Sequence, residues 1–216
     1  MKYILFDLDG TLTDPALGIT KSVRHALEKM GRETGELSEY KKFIGPPLRN
    51  SFRKWYGMTA EEAEQAVSYY REYFAPTGIF ENRVYDGIPS LLEKLKADGY
   101  GVALATSKPE VFAKRILEKF DLMKYFDFAG GSELDGTREE KSEVVKYVLE
   151  NTGCAPGDAL MIGDRENDVL GALANGVRAI GVLYGYGTRG ELIAAGAADI
   201  CGDVASLYGS IKNSIA

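Results

Sequence analysis

An apolar run of strand length stands near the start of the chain and ends in acids: Tyr3-Ile4-Leu5-Phe6-Asp7-Leu8-Asp9-Gly10-Thr11-Leu12. Near-continuous apolarity from Tyr3 to Leu8 predicts a strand buried on both faces, the kind found in parallel sheets covered by helices. Open sheets of that type bind ligands just beyond the carboxyl ends of their strands, which is where Asp7 and Asp9 fall. Side chains alternate along a strand, so the i, i+2 spacing can aim both acids at one spot. Crowded carboxylates are unfavourable unless a cation or a shared proton relieves them, and hard divalent cations prefer oxygen ligands. The alternative is a polar turn after a strand, for which Asp and Gly are ordinary residues.

The pattern then turns helical. Ile19, Val23, Leu27 and Met30 recur at three- and four-residue spacing, and Gly31 is a stop signal. After a polar stretch, Gly45-Pro46-Pro47 marks a break, and a second helical region takes in Leu48, Phe52 and Trp55. Thr59 with Glu62 three residues on forms a capping box, opening a third helix through Ala66, Tyr69, Tyr70 and Tyr73. No strand is read between about residues 15 and 80, so residues 15–80 are expected to be a helical insertion in a core made of residues 1–14 and 81–216.

From there strands and helices alternate, which points to a parallel sheet. Gly101 to Thr106 is an apolar strand ending in the polar set Thr106-Ser107-Lys108, and Ala159 to Ile162 is another, ending in Gly163-Asp164-Arg165-Glu166-Asn167-Asp168. Between them Lys141 stands at the expected start of a helix, where the ordinary reading is a solvated surface lysine. In a parallel sheet all three strand ends lie on one edge, so Asp7 and Asp9, Thr106 and Ser107, and Asp164 and Asp168 can converge.

With 45% hydrophobic and 27% charged residues in 216, the chain has the composition of an ordinary globular protein with a sizeable core. A net charge of -6 argues against nucleic acid as the main partner, because phosphate-backbone binding needs a basic face. An acidic protein that handles an anion must instead concentrate positive charge locally. No segment reaches the length of a membrane span, and Asp7 and Asp9 interrupt the first apolar run before it can serve as a signal peptide. Cys154 and Cys201 have neither metal-ligand spacing nor a disulfide framework. A cytoplasmic monomer or homodimer is the expectation.

In order and spacing, Asp7-Leu8-Asp9-Gly10-Thr11, Thr106-Ser107, Lys141 and Gly163-Asp164-x-x-x-Asp168 resemble the four motifs of the haloacid dehalogenase-like hydrolase superfamily, over essentially the whole chain. The helical insertion resembles the family's small α-helical cap. Thr106-Ser107-Lys108-Pro109 and Gly185-Tyr186-Gly187-Thr188-Arg189 resemble its phosphoglycolate phosphatase-like branch. The resemblance implies an α/β, Rossmann-like parallel sheet and a Mg²⁺-dependent phosphatase acting on a small phosphorylated metabolite. It further implies that Asp7 is a nucleophile forming an aspartyl-phosphate, which splits one hard displacement into two easier ones. Asp9 would protonate the leaving alkoxide and then activate water. Mg²⁺ would be held by the Asp7 carboxylate, the Asp9 backbone carbonyl and Asp164. Thr106, Ser107 and Lys141 would bind phosphoryl oxygens, and Asp168 would act from behind, orienting water or Lys141, with direct ligation of the metal as the alternative.

Dehalogenases of this type lack an acid at the position of Asp9, because halide leaves unprotonated; its presence favours phosphate transfer. Phosphoglycolate is the expected substrate. A nucleoside 5′-monophosphate (a 5′-nucleotidase) and a sugar-phosphate phosphatase or mutase remain open. Arg49, beside Gly45-Pro46-Pro47, is the candidate for a contact from the insertion to the substrate, against the equally available reading of a solvent-facing arginine. Tyr69, Tyr70, Tyr73 and Phe74 read as packing, and His25, the only histidine, as surface or packing. Asp14 reads as a turn residue. Gly185-Tyr186-Gly187-Thr188-Arg189-Gly190 also fits the G-x-G-x-x-G string of dinucleotide-binding oxidoreductases, but so late in the chain that a plain loop explains it better.

Overall fold

Six strands hydrogen-bond side by side, all parallel, in the order β5-β4-β1-β6-β7-β8 in a computed structural model that describes residues 1–215. They are β1 (Tyr3–Phe6), β4 (Gly101–Pro109), β5 (Phe128–Ser132), β6 (Ala159–Gly163), β7 (Arg178–Val182) and β8 (Asp199–Cys201). Two short extended segments, β2 (Thr13–Asp14) and β3 (Arg83–Val84), lie where the chain leaves the sheet and returns to it. The helices are α1 (Ala16–Lys29), α2 (Leu48–Tyr56), α3 (Ala60–Phe74), α4 (Ile88–Ala97), α5 (Glu110–Lys119), α6 (Lys141–Thr152), α7 (Glu166–Leu173), α8 (Arg189–Ala195) and α9 (Val204–Ser214). The expected α/β, Rossmann-like parallel sheet is what forms.

The apolar runs are continuous because both sheet faces are covered. Tyr3, Leu5, Ala103, Ala105 and Met161 pack on one face against Val144, Val145 and Val148 of α6, Val169 and Ala172 of α7, and Leu192 of α8. The alternate residues Ile4, Phe6, Val102, Leu104, Leu160 and Ile162 are fully buried on the other face, which α4, α5 and α9 cover. Each fully buried Leu, Ile or Phe contributes about 1.5–3 kcal/mol. β1 lies at the centre: Phe6 pairs with Leu104 on one side and with Ile162 on the other. From β1 the strand order runs outward in opposite directions, so this is the topological switch point at which such sheets bind ligands.

The chain divides into two compact units, one of Met1–Asp14 with the residues from Val84 onward, the other of Pro15–Arg83. In the second unit α1 packs on α3, and α2 packs on α3. The capping box at Thr59 and Glu62 forms in both directions, the Thr59 side chain accepting from the Glu62 N–H. Tyr70 and Phe74 are buried and stacked with ring centroids 5.2 Å apart, whereas Tyr69 and Tyr73 are half-buried. His25 is also half-buried, with its Nε2 3.5 Å from a Glu72 carboxylate oxygen. The polar stretch before Gly45 forms a 3₁₀ segment, Leu37–Phe43, that buries Tyr40 and Phe43.

Candidate active site

Alternation along β1 decides which helices meet Asp7. Asp7 follows Tyr3 and Leu5 in phase, on the face covered by α6 and α7, and its N–H extends the ladder to the Ile162 carbonyl at 2.9 Å. Lys141 is the first residue of α6, behind a capping box formed by Glu140 and Glu143, and its side chain is 4% exposed. The ammonium lies 2.6 Å from Asp7 Oδ1 and 2.8 Å from Asp168 Oδ1, and it donates to the Ala105 carbonyl at 2.9 Å. An ammonium has three N–H donors, so all are engaged. Burial alone would push the Lys141 ammonium down, but Asp168 and Asp7 more than offset this and hold it above the usual lysine range.

Asp168 lies on α7, and its other oxygen accepts the Arg165 N–H at 3.0 Å. Gly163 makes room for it: a Cβ there would sit 2.3 Å from the Asp168 Cβ. Burial, opposed by Lys141, leaves the Asp168 carboxyl raised to about 6. Asp164 is completely buried, and burial together with Asp168 and Asp7 holds its carboxyl well above the usual range. Carboxylate oxygens of Asp7, Asp164 and Asp168 lie within 4.8 Å of one another, so these three could hold a metal ion.

Asp9 is held separately. Its Oδ2 is 2.5 Å from the Lys108 ammonium, with both side chains under 10% exposed. Its buried Oδ1 has no hydrogen-bond partner. Burial raises the Asp9 carboxyl, and Lys108 opposes that rise. Four buried carboxylates (Asp7, Asp9, Asp164, Asp168) therefore face two ammonium groups, those of Lys141 and Lys108. An all-oxygen donor set of this kind suits a hard divalent cation.

β4 runs past the sheet edge beside β1 and carries Thr106, Ser107 and Lys108. Thr106 is buried, and its Oγ1 accepts the Lys108 N–H at 3.3 Å. The Ser107 carbonyl accepts from Ser132 Oγ of β5 at 2.8 Å. Arg49 belongs to the other unit, where its guanidinium makes a two-pronged contact with Glu64, at 2.5 Å from Nε and 3.0 Å from a terminal nitrogen. Two residues of the site escaped the sequence reading. Read from the sequence, Lys108 has no site role beyond its place in the polar strand end and in the string Thr106-Ser107-Lys108-Pro109, although alternation from Thr106 is a usable signal. Tyr186, whose N–H donates to Asp164 Oδ2 at 2.7 Å, lies in a string that resembles the family branch, but nothing in that string ties it to an acid so far away in sequence.

The same sequence and fold recur in known proteins. A 5′-nucleotidase from Pseudomonas aeruginosa is 50% identical over 204 residues, covering 94% of this chain and 92% of that protein. Phosphoglycolate phosphatase 1 from the same organism is 33% identical over 192 residues, covering 86% of this chain and 70% of that one, in agreement with the expected branch. The crystal structure of a predicted phosphatase from Clostridium acetobutylicum superposes with a TM-score of 0.97 at 50% identity, covering 98% of each chain. No helix among the described residues is long and apolar enough to cross a membrane. The haloacid dehalogenase-like hydrolase family itself matches over residues 4–182, from the first strand through β7 and thus across every acid and lysine of the site, and the chain belongs to that family.

Proposed function

We infer that this phosphatase hydrolyses small phosphate monoesters through an aspartyl-phosphate on Asp7. The observation that carries the reading is the placement of Asp7 against Lys141, with the orphaned buried oxygen of Asp9 two residues away. An Asp7 carboxylate oxygen attacks phosphorus and the ester P–O bond breaks, while Asp9 gives its proton to the departing alcohol oxygen. Water then attacks the same phosphorus, its proton passes to Asp9, and the Asp7–phosphorus bond breaks to release phosphate. Burial favours the protonated form of Asp9 that the first step needs. Lys141 acts through its fixed charge, since its three N–H groups already serve Asp7, Asp168 and Ala105. Thr106 and Ser107 at the end of β4 are the neutral donors assigned to the phosphoryl oxygens.

The Asp7 carboxylate, the Asp9 backbone carbonyl and Asp164 are the groups assigned to Mg²⁺, with Asp168, tied to Lys141 and to the Arg165 N–H, supporting from behind. When bound, Mg²⁺ supplies Lewis-acid charge that screens Asp7 from its anionic target. The helical unit of residues 15–83 is assigned the role of a cap that selects the leaving group. Arg49, which donates to Glu64 through two of its five N–H groups, is the residue of that unit assigned the substrate contact.

For the substrate, the 50% identity to a protein named 5′-nucleotidase supports a nucleoside 5′-monophosphate ahead of phosphoglycolate. Two free cysteines, Cys154 and Cys201, accord with a reducing cytoplasm. The test is phosphate release from nucleoside 5′-monophosphates, phosphoglycolate, sugar phosphates and an aryl phosphate, with and without Mg²⁺, beside Asp7→Asn. Metal-dependent release abolished by the substitution is expected. A folded wild-type protein that releases phosphate from none of them overturns the reading.

A further inference from the structure

The string Gly185-Tyr186-Gly187, which reads from the sequence as a plain loop, packs its backbone against Asp164. We propose that the turn Tyr184–Gly187 is a clamp that sets the Asp164 carboxylate for a divalent cation, with Tyr186 as its positioning residue. The proposal rests on the metal reading of the site given above.

Three sets of contacts carry it. First, the turn grips Asp164 through its backbone. The Tyr186 N–H donates to Asp164 Oδ2 at 2.7 Å, and on the opposite side Thr11 Oγ1 reaches Asp164 Oδ1 at 3.4 Å. One carboxylate oxygen is thus anchored firmly and the other weakly. A carboxylate has about four lone-pair directions, so capacity remains for a cation.

Second, both tyrosine hydroxyls tie the turn to the segment that follows the nucleophile. Tyr184 donates to the Thr11 carbonyl at 3.1 Å, and Tyr186 donates to Asp14 Oδ1. The Tyr184 ring also meets the Tyr85 ring edge-on, with centroids 5.0 Å apart. Burial and the neighbouring Asp14 keep the Tyr186 phenol protonated, so it stays a donor. Asp14 is the last residue of the sheet unit before the chain departs into the helical unit.

Third, the approach is possible only with glycine on either side of Tyr186. A Cβ on Gly185 would lie 2.3 Å from the Gly10 carbonyl oxygen and 2.5 Å from the Asp164 side chain. One on Gly187 would lie 1.8 Å from the Asp164 carbonyl oxygen. A loop with no task would not need to press its bare backbone on a buried acid.

Groups that orient a metal ligand commonly alter metal affinity by tenfold or more when removed. The experiment measures Mn²⁺ binding to chelator-treated, full-length protein by calorimetry and by electron paramagnetic resonance, with thermal unfolding recorded alongside. Tyr186→Phe keeps the ring and removes the tie to Asp14; it is expected to raise the Mn²⁺ dissociation constant about tenfold. Asp14→Ala should do the same, and the double variant should be no worse than either. Asp14→Asn, which keeps an acceptor oxygen, should bind Mn²⁺ like the wild type. A merely structural hydroxyl would lower the unfolding temperature equally with and without Mn²⁺ and leave the dissociation constant within twofold of wild type; that result overturns the clamp and leaves the metal site standing. A wild-type protein that binds no Mn²⁺ overturns both. If Tyr186→Phe does not fold, the Asp14→Ala and Asp14→Asn pair makes the same comparison from the acceptor's side.

Discussion

Lys141 offers the sharpest quantitative test, because one ammonium holds two buried carboxylates apart. Taking an effective dielectric of about 20, its attraction to Asp7 at 2.6 Å and to Asp168 at 2.8 Å comes to about 6 kcal/mol each. Much of that is offset by the cost of taking the ammonium out of water, which is why truncating one partner of a buried pair costs about 3–5 kcal/mol in practice. No discount for solvent screening applies, since the three side chains are 3–5% exposed. In Lys141→Met the two acids would also repel each other directly. At the 4.8 Å limit of their cluster that repulsion is about 3 kcal/mol at the same dielectric. The folded variant will escape most of it by binding a proton.

That escape has a sign that can be measured. Burial, opposed by Lys141, leaves wild-type Asp168 raised to about 6, so the folded variant holds about one proton more than the folded wild type at pH 8 and about half a proton more at pH 6. The unfolded chains bind protons alike. Stability of the variant therefore falls more steeply with rising pH than that of the wild type, by about 1.4 kcal/mol per unit near pH 8 and about half that near pH 6. The expected deficit is about 4 kcal/mol at pH 8 and about 1–2 kcal/mol at pH 6. Below pH 6 wild-type Asp168 takes its own proton and the deficit stops shrinking. Urea unfolding of both proteins at the two pH values, with chelator present, gives the numbers directly. A deficit under 1 kcal/mol, or one equal at both pH values, would refute the account of Lys141 as the charge that makes Asp7 and Asp168 compatible.

Two further substitutions separate the roles assigned to the other buried groups. Asp9→Asn should slow hydrolysis of an alkyl phosphate by about 10²–10⁴-fold, and should slow an aryl phosphate with an acidic leaving group much less; equal losses on the two esters would argue against proton donation by Asp9. Lys108→Met leaves both Asp9 oxygens without a donor and should cost about 1–3 kcal/mol at pH 7. In the Asp9→Asn background that cost should largely vanish, which a double-mutant cycle in denaturant would read as coupling between the two sites.

The parts of the site that were legible in the sequence are those whose chemistry coincides with local pattern. Asp7, Asp9 and Asp164 stand where apolar runs end, and the end of a buried strand is where a polar group has to have a reason. Lys141 was not separable from a surface lysine by its neighbours; it stood out only because its place between the second and third strand ends matched a motif order. Lys108 shows the same limit from the other side. A strand taken to end at Thr106 in fact continues to Pro109, and only that continuation brings Lys108 to Asp9. The 3₁₀ segment Leu37–Phe43 is hard to read because it offers a single apolar pair, Tyr40 and Phe43, too few for a period to show in a polar stretch. The string around Tyr186 stands out in the sequence, but its bond to Asp164 does not, since that bond depends on how β7 lies beside β6 and on two glycines whose space is defined by residues elsewhere in the chain.

Register is what turns these separate strand ends into one site. β1 is paired on both sides, Tyr3 to Phe6 against Gly101 to Leu104 and against Ala159 to Ile162, so its position is fixed by two ladders at once. A slip of one residue would turn Asp7 onto the face covered by α4 and α5, away from Lys141 and Asp168, and would bring Phe6 into the place of the acid. Such a slip also exchanges Leu5 and Phe6 between two cores that are both packed against helices, at a cost of several kcal/mol in mismatched volume. The apolar residues of β1 therefore do more than fill the core. Their alternating fit to α6 on one side and to α4 and α5 on the other holds Asp7 in phase with a lysine 134 residues away.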